Sequence, residues 1–118
     1  LREPILWAYD TPQRKGIKSE KIILDPGIGF GKDVSGNFEL IKNCGRLGNG
    51  KYNVLMALSR KSCIGAVTGR EVNDRLSGTL TADLISVING AFMIRVHDVK
   101  EAVDSLKVLK ATGFMENK

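Results

Sequence analysis

An α/β fold built on parallel strands is predicted by three observations. Short apolar runs occur at residues 22–24, 54–58 and 92–96, and helix-period patterns lie between and after them. Continuous apolar runs suit strands covered on both faces, and strand–helix alternation implies parallel pairing through helical crossovers. Each run also ends on polar residues at a regular interval: Asp25, Lys61 and Arg95 follow one another at 36 and 34 residues. That interval is close to one unit of a (β/α)8 TIM barrel, about 250 residues over eight units. The chain has 118 residues, enough for one domain and too few for two. Residues 1–118 therefore read as a single, partial barrel domain.

Each element has its own signal. The first strand is Ile22-Ile23-Leu24. Phe38, Ile41 and Leu47 mark a helix of about three turns. The second strand is Val54-Leu55-Met56-Ala57-Leu58. Leu76, Leu80, Leu84, Val87 and Ile88 fit the helical period, with Gly90 as a stop. The third strand, Phe92-Met93-Ile94-Arg95-Val96, leads to a last helix striped by Val99, Ala102, Val103, Leu106 and Leu109. Asp98 and Glu101 stand at capping-box spacing before it, and Gly113 ends it. Leu24, Met56 and Met93 are expected to face the barrel interior.

Composition narrows the function. The net charge of +5, from 18 basic and 13 acidic residues, suits nucleic acid or small anionic substrates. The basic residues are scattered and aromatics are only 6%, poor material for base stacking, so nucleic acid is not expected. No run approaches the roughly 20 apolar residues of a membrane span. The opening Leu1-Arg2-Glu3-Pro4 is not a signal peptide and lacks an initiator Met, so the chain reads as a piece of a longer, cytoplasmic protein. Cys44 and Cys63 match no zinc spacing and read as reduced thiols. His97, the single histidine, cannot build a histidine metal site alone, so no protein metal ligand is expected.

The polar strand ends converge at the face where such folds bind ligands. Each has an alternative explanation. Asp25 precedes Pro26-Gly27 and suits a plain turn; Lys61 suits a surface helix start. Arg95 shares a strand face with Met93 and His97. A charge there must be paired, with Asp98 for example, or must bind something. The segment Gly27-Ile28-Gly29-Phe30-Gly31 fits no dinucleotide fingerprint, but its backbone can pass close to a flat ligand while Phe30 offers an aromatic wall. The GxxxxGK spacing at residues 45–51 precedes a strand and has Tyr52 in place of Ser/Thr, so it is not a P-loop. Ser59-Arg60-Lys61-Ser62 between a strand and a helix makes an anion site, and Arg95 with His97 adds a second cationic patch. No protein nucleophile stands with its own base, which favours binding and transfer chemistry over a serine-triad hydrolase.

DPGIGFGK at residues 25–32, SRKSCIG at 59–65, RLSGT at 75–79 and RVHDV at 95–99 together resemble the dihydropteroate synthase family. The resemblance covers about residues 16–112 and implies strands six to eight of that family's barrel. It implies a transferase of folate biosynthesis, a sulfonamide target. Such an enzyme condenses 6-hydroxymethyl-7,8-dihydropterin diphosphate with p-aminobenzoate. By resemblance Asp25 accepts hydrogen bonds from the pterin pyrimidine edge, each worth roughly 1.5–3 kcal/mol. Lys61 and Arg95 form the catalytic pair: Lys61 reaches the pterin carbonyl edge, and Arg95 lies flat on the pterin. Arg95 and His97 take the diphosphate. Gly29, Phe30, Ser59 and Arg60 complete the substrate contacts, with Phe30 and Ser59 at p-aminobenzoate. Mg2+ is expected on the substrate diphosphate and an N-terminal loop. A homodimer is expected through the helices at residues 75–89 and 99–111.

Ala57 departs from the family, which often has glycine there, and its methyl narrows the expected pocket. The early barrel strands have no counterpart in this sequence, so the isolated chain is expected to be inactive. Its open sheet edges are expected to drive association. The competing readings are a non-catalytic partial-barrel binding or assembly module, and a methyltetrahydrofolate-type pterin methyltransferase domain.

Overall fold

The structure is a computed structural model that describes residues 22–29 and 33–117. Three parallel strands, β1 (Ile23–Leu24), β2 (Asn53–Ala57) and β3 (Met93–Arg95), lie side by side in chain order. Helices α1 (Val34–Lys42) and α2 (Cys44–Leu47) join β1 to β2. Helix α3 (Ser62–Thr68), a 3-10 turn at Val72–Asp74 and helix α4 (Leu76–Ile88) join β2 to β3, and α5 (Val99–Ala111) follows. No helix of the described residues is long and apolar enough to cross a membrane.

Pairing sets the faces of the sheet. Ile23 pairs with Asn53, Leu55 with Met93, and Ala57 with Arg95. Side chains alternate along a strand, so paired residues of parallel strands share a face. One face carries Leu24, Val54, Met56 and Ile94 against the helices. Val54 and Met56 are 2% and 0% exposed there. They join Leu40, Ile41, Cys44, Leu58, Cys63, Ile64 and Ala82 in the main core. The opposite face carries Ile23, Leu55, Ala57, Met93 and Arg95, and Ile23 and Met93 are 44% and 43% exposed. The expected interior set is thus correct for Met93 and wrong for Leu24 and Met56, which face the helices. A run apolar at every position carries no alternation from which its phase can be read, and a one-residue slip exchanges the faces.

The helices differ from expectation in three places. The helix expected through Phe38, Ile41 and Leu47 is broken at Asn43, whose side-chain amide donates to the Glu39 carbonyl at 3.0 Å. Asn89 donates to the Lys42 carbonyl at the same break, and a side chain on Gly45 would strike the Asn89 carbonyl. The end of α4 therefore sits where a straight helix would continue. Helix α4 itself buries Thr79, Ala82, Asp83 and Ser86, while Leu76 and Ile85 are exposed. Small residues let it approach closely: Gly78 rests against Ile64, and Thr79 accepts the Arg60 amide. The leucines flank that contact instead of making it. Finally, Asp98 precedes α5 but makes no capping bond; its carboxylate is held by Arg60. Of α5 only Ala102 is buried, and Val99, Val103 and Val108 are exposed.

Candidate active site at the strand ends

The register of β2 and β3 builds the site. Two residues beyond the Ala57–Arg95 pair, Ser59 and His97 meet: the His97 amide donates to Ser59 Oγ at 3.1 Å, and His97 Nδ1 lies 2.7 Å from the same oxygen. Ala57, Ser59, Lys61, Arg95, Val96 and His97 line a cleft of about 310 Å³. Ala57 thus places its methyl in the cleft wall, level with Arg95. Two cations and an imidazole line this space with no carboxylate among them, which fits an anionic ligand.

Lys61 owes its position to Arg60, whose backbone is left-handed at φ 57°. Such a conformation costs a non-glycine residue of order 1 kcal/mol, and three contacts hold it. The Arg60 amide donates to Thr79 Oγ1 at 3.1 Å, the Arg60 carbonyl accepts from Arg75 at 3.0 Å, and the guanidinium pairs with Asp98 at 2.9 Å. Arg60 is expected among the substrate contacts; in the structure its side chain clamps the end of β2 to the segment after β3. Lys61 then caps α3 from an extended conformation, and its stem runs past Gly29, whose φ is 90°. A Cβ at Gly29 would stand at ordinary contact distance from that stem, 3.6 Å, so it is the positive φ that calls for glycine here.

Gly29 is anchored from below. Its amide donates to Asn37 Oδ1 at 2.9 Å, and Asn37 on α1 is 3% exposed. Sequence reasoning missed Asn37; the available signal was an amide side chain beside the apolar positions of a helix that follows a glycine-rich loop. Asp25, at the end of β1, is exposed, and its Oδ1 accepts the Gly27 amide at 2.9 Å. That is the turn contact weighed for it, and Asp25 is not among the cleft-lining residues. Phe30 lies outside the described residues. Arg95 has no hydrogen-bond or ion-pair partner among the described residues, and the pairing with Asp98 that would have explained it is taken by Arg60.

Cys44 and Cys63 are free and buried, and burial raises both thiols above their ordinary pKa, so neither is activated. Among the described residues no group of three His, Cys, Asp or Glu could hold a metal ion. The cationic cleft does not fit a divalent cation on its own. The contact between Ser59 and His97 has the length of a nucleophile–base pair. Yet Ser59 is 7% exposed and its oxygen is occupied by a backbone amide, and His97 has no carboxylate partner among the described residues. A hydrolytic pair needs an accessible hydroxyl and an oriented base.

Parallel strands with a cationic cleft at their C-terminal ends have the form of one part of a barrel. The family described as pterin binding enzyme matches residues 8–97, and the chain belongs to that family. Within it, the chain is similar to dihydropteroate synthases. It is 42% identical over 107 residues to that of Escherichia coli strain K12, covering 90% of this chain and 38% of the relative. Among solved structures, the Xanthomonas albilineans dihydropteroate synthase in complex with 7,8-dihydropteroate superposes with a TM-score of 0.87. Its identity is 38%, covering 94% of this chain and 42% of that one. The same enzyme with 4-aminobenzoic acid matches at a TM-score of 0.87 and 38% identity, over 94% of this chain and 41% of that one. These relatives are TIM barrels, and the described fold is a part of one. The chain spans about two-fifths of the length of the relatives it matches.

Proposed function

We propose that this chain belongs to a dihydropteroate synthase. That enzyme joins 6-hydroxymethyl-7,8-dihydropterin diphosphate to p-aminobenzoate, giving 7,8-dihydropteroate and diphosphate. The observation that carries the reading is the convergence of Lys61, Arg95 and His97 on one cleft in a chain of the pterin-binding family. The bond from the pterin methylene carbon to diphosphate oxygen breaks first, the electron-rich pterin carries the developing cation, and the p-aminobenzoate amine then attacks that carbon and releases its proton to solvent. The burden on the protein is therefore charge on the departing diphosphate. Arg95 and His97 hold it from β3, and Lys61 faces the pterin from β2. Preorganised donors of this kind are each worth about 2.7–4 kcal/mol in the transition state. Gly29 and Phe30 supply the flat wall, and Phe30 and Ser59 lie on the p-aminobenzoate side. Asp25 reaches the pterin edge by exchanging its Gly27 contact for ring N–H donors. Arg60 holds the two strand ends in place.

Magnesium would supply charge neutralisation on the diphosphate, held mainly by the substrate diphosphate itself and by an N-terminal loop of the whole enzyme. A homodimer is part of the same reading, seated on α4 and α5, where Leu76, Ile85, Val99, Val103 and Val108 are exposed. A chimera tests the function: this chain replaces the matching segment of the Escherichia coli relative. Dihydropteroate formation is expected from the folded chimera, with about a 100-fold loss on Arg95→Ala. A folded chimera without turnover, or full turnover without Arg95, refutes the proposal.

A further inference from the structure

We infer that Ser59 is a positioning residue that fixes the tautomer of His97, so that Nε2 carries a proton whether the ring is neutral or charged. Ser59 is buried, 7% exposed, and among the described residues its Oγ has two hydrogen-bonding neighbours: the His97 amide at 3.1 Å and His97 Nδ1 at 2.7 Å. A hydroxyl has one proton and two acceptor lone pairs. The amide can only donate, so it takes one lone pair. The hydroxyl proton then has a single acceptor in reach among the described residues, Nδ1 of the neutral ring. Any other arrangement leaves a buried O–H unsatisfied, which costs about 1–3 kcal/mol. Nδ1 is thereby the acceptor, and the neutral ring holds its proton on Nε2. When the ring gains a proton, Nδ1–H donates to the second lone pair of Oγ, and the hydroxyl gives up its bond to the ring at that same cost. The ring plane does not change between the two states.

The consequence is chemical. Nε2 has no partner among the described residues, and the ring lines the cleft beside Lys61 and Arg95. In both states Nε2 offers N–H and no lone pair. His97 is then a permanent donor to an anionic oxygen and is excluded as the base that takes the amine proton. Second-shell partners fix histidine tautomers in the same way at metal sites. The assignment to a diphosphate oxygen rests on the function proposed above; the tautomer does not.

His97 is the only histidine in the chain, so nitrogen NMR of the chain labelled with 15N-histidine reads it without mutagenesis. With the ring neutral in alkaline solution, the Nδ1–H tautomer is expected below detection. Ser59→Ala raises it several-fold, and Ser59→Thr, which keeps the hydroxyl, restores the original state. A neutral ring protonated on Nδ1 in the unmodified chain overturns the inference, however the variants fold. So does a tautomer population that Ser59→Ala leaves unchanged. Inorganic pyrophosphate, titrated into the same sample, is expected to shift Nε2 more than Nδ1. Silence on that titration with the tautomer confirmed removes the diphosphate assignment and leaves the Ser59 role standing.

Discussion

The two faces of the sheet are built from the same kinds of residue and end in opposite states. Toward the helices, Val54, Met56 and Leu58 are 0–2% exposed and packed among aliphatic side chains. On the other face, Ile23 and Met93 are more than two-fifths exposed, and Arg95 stands at the top of the same row. A methionine appears in both rows, so side-chain chemistry does not separate them. The difference is what lies opposite. Four helices cover one face within the described residues, and the open face is the one that looks inward in the barrels this chain resembles. The packed core of the chain therefore lies on one face, and the ligand chemistry proposed above lies on the other.

The largest test of that contrast is a pair of truncations. Met56→Ala removes a side chain that is 0% exposed and leaves a cavity in the main core, for an expected loss of about 3 kcal/mol. Met93→Ala on the open face is expected to cost under about 1 kcal/mol. Denaturant unfolding of both variants measures the difference. Equal losses would show that the open face is covered in solution, by a second copy or by the rest of the chain.

Among the described residues, the covered face holds a carboxyl group that opposes its own burial. Asp83 on α4 is 2% exposed, neither carboxylate oxygen has a partner among the described residues, and burial pushes its pKa from 3.8 up to about 7. The folded state thus keeps a proton that the unfolded state has released. Its contribution to stability falls as pH rises from about 4 to about 7 and is flat above that. Each unit is worth about 1.4 kcal/mol. Asp83→Asn removes the ionisation while keeping the shape. It is expected to stabilise the chain by about 2 kcal/mol at pH 8 and to have little effect at pH 4, since an unpartnered amide recovers only part of the penalty. Unfolding curves of both proteins across that range give the comparison; parallel pH profiles would show that Asp83 has found a partner.

The sequence makes existence legible and leaves phase hidden. All three strands and the full extent of α4 follow from apolar runs and helical periodicity, because burial selects composition over several residues at once. Which face of α4 turns inward does not follow. Its leucines suggested one stripe, and the buried row is Thr79, Ala82, Asp83 and Ser86. Close approach needs small side chains there, a demand set by Arg60 and Ile64 on other elements. The site divides in the same way. Lys61, Arg95 and His97 were marked by polar types at the ends of apolar runs. Asn37 and the Arg60–Asp98 pair were not, since each depends on a partner 8 to 38 residues away.

The smallest expected effect belongs to that pair, and it bears most directly on how the two faces communicate. Arg60 and Asp98 meet at 2.9 Å with side chains 37% and 23% exposed. Solvent screens a contact of this kind, so a double-mutant cycle on Arg60→Ala and Asp98→Ala should give a coupling of about 0.5–1 kcal/mol in stability. The geometry it holds matters more than its energy. Arg60 precedes Lys61 and Asp98 follows His97, so the bridge sets the width of the cleft between them. Losing it frees the end of β2 to move against the end of β3 with the core beneath intact. Affinity for pyrophosphate is therefore expected to fall several-fold in either single variant, and the double variant should be no worse than the weaker single. Calorimetry on the four proteins decides it. Additive losses would mean that Arg60 and Asp98 act on the ligand separately, with Arg60 reaching it directly and not through Asp98.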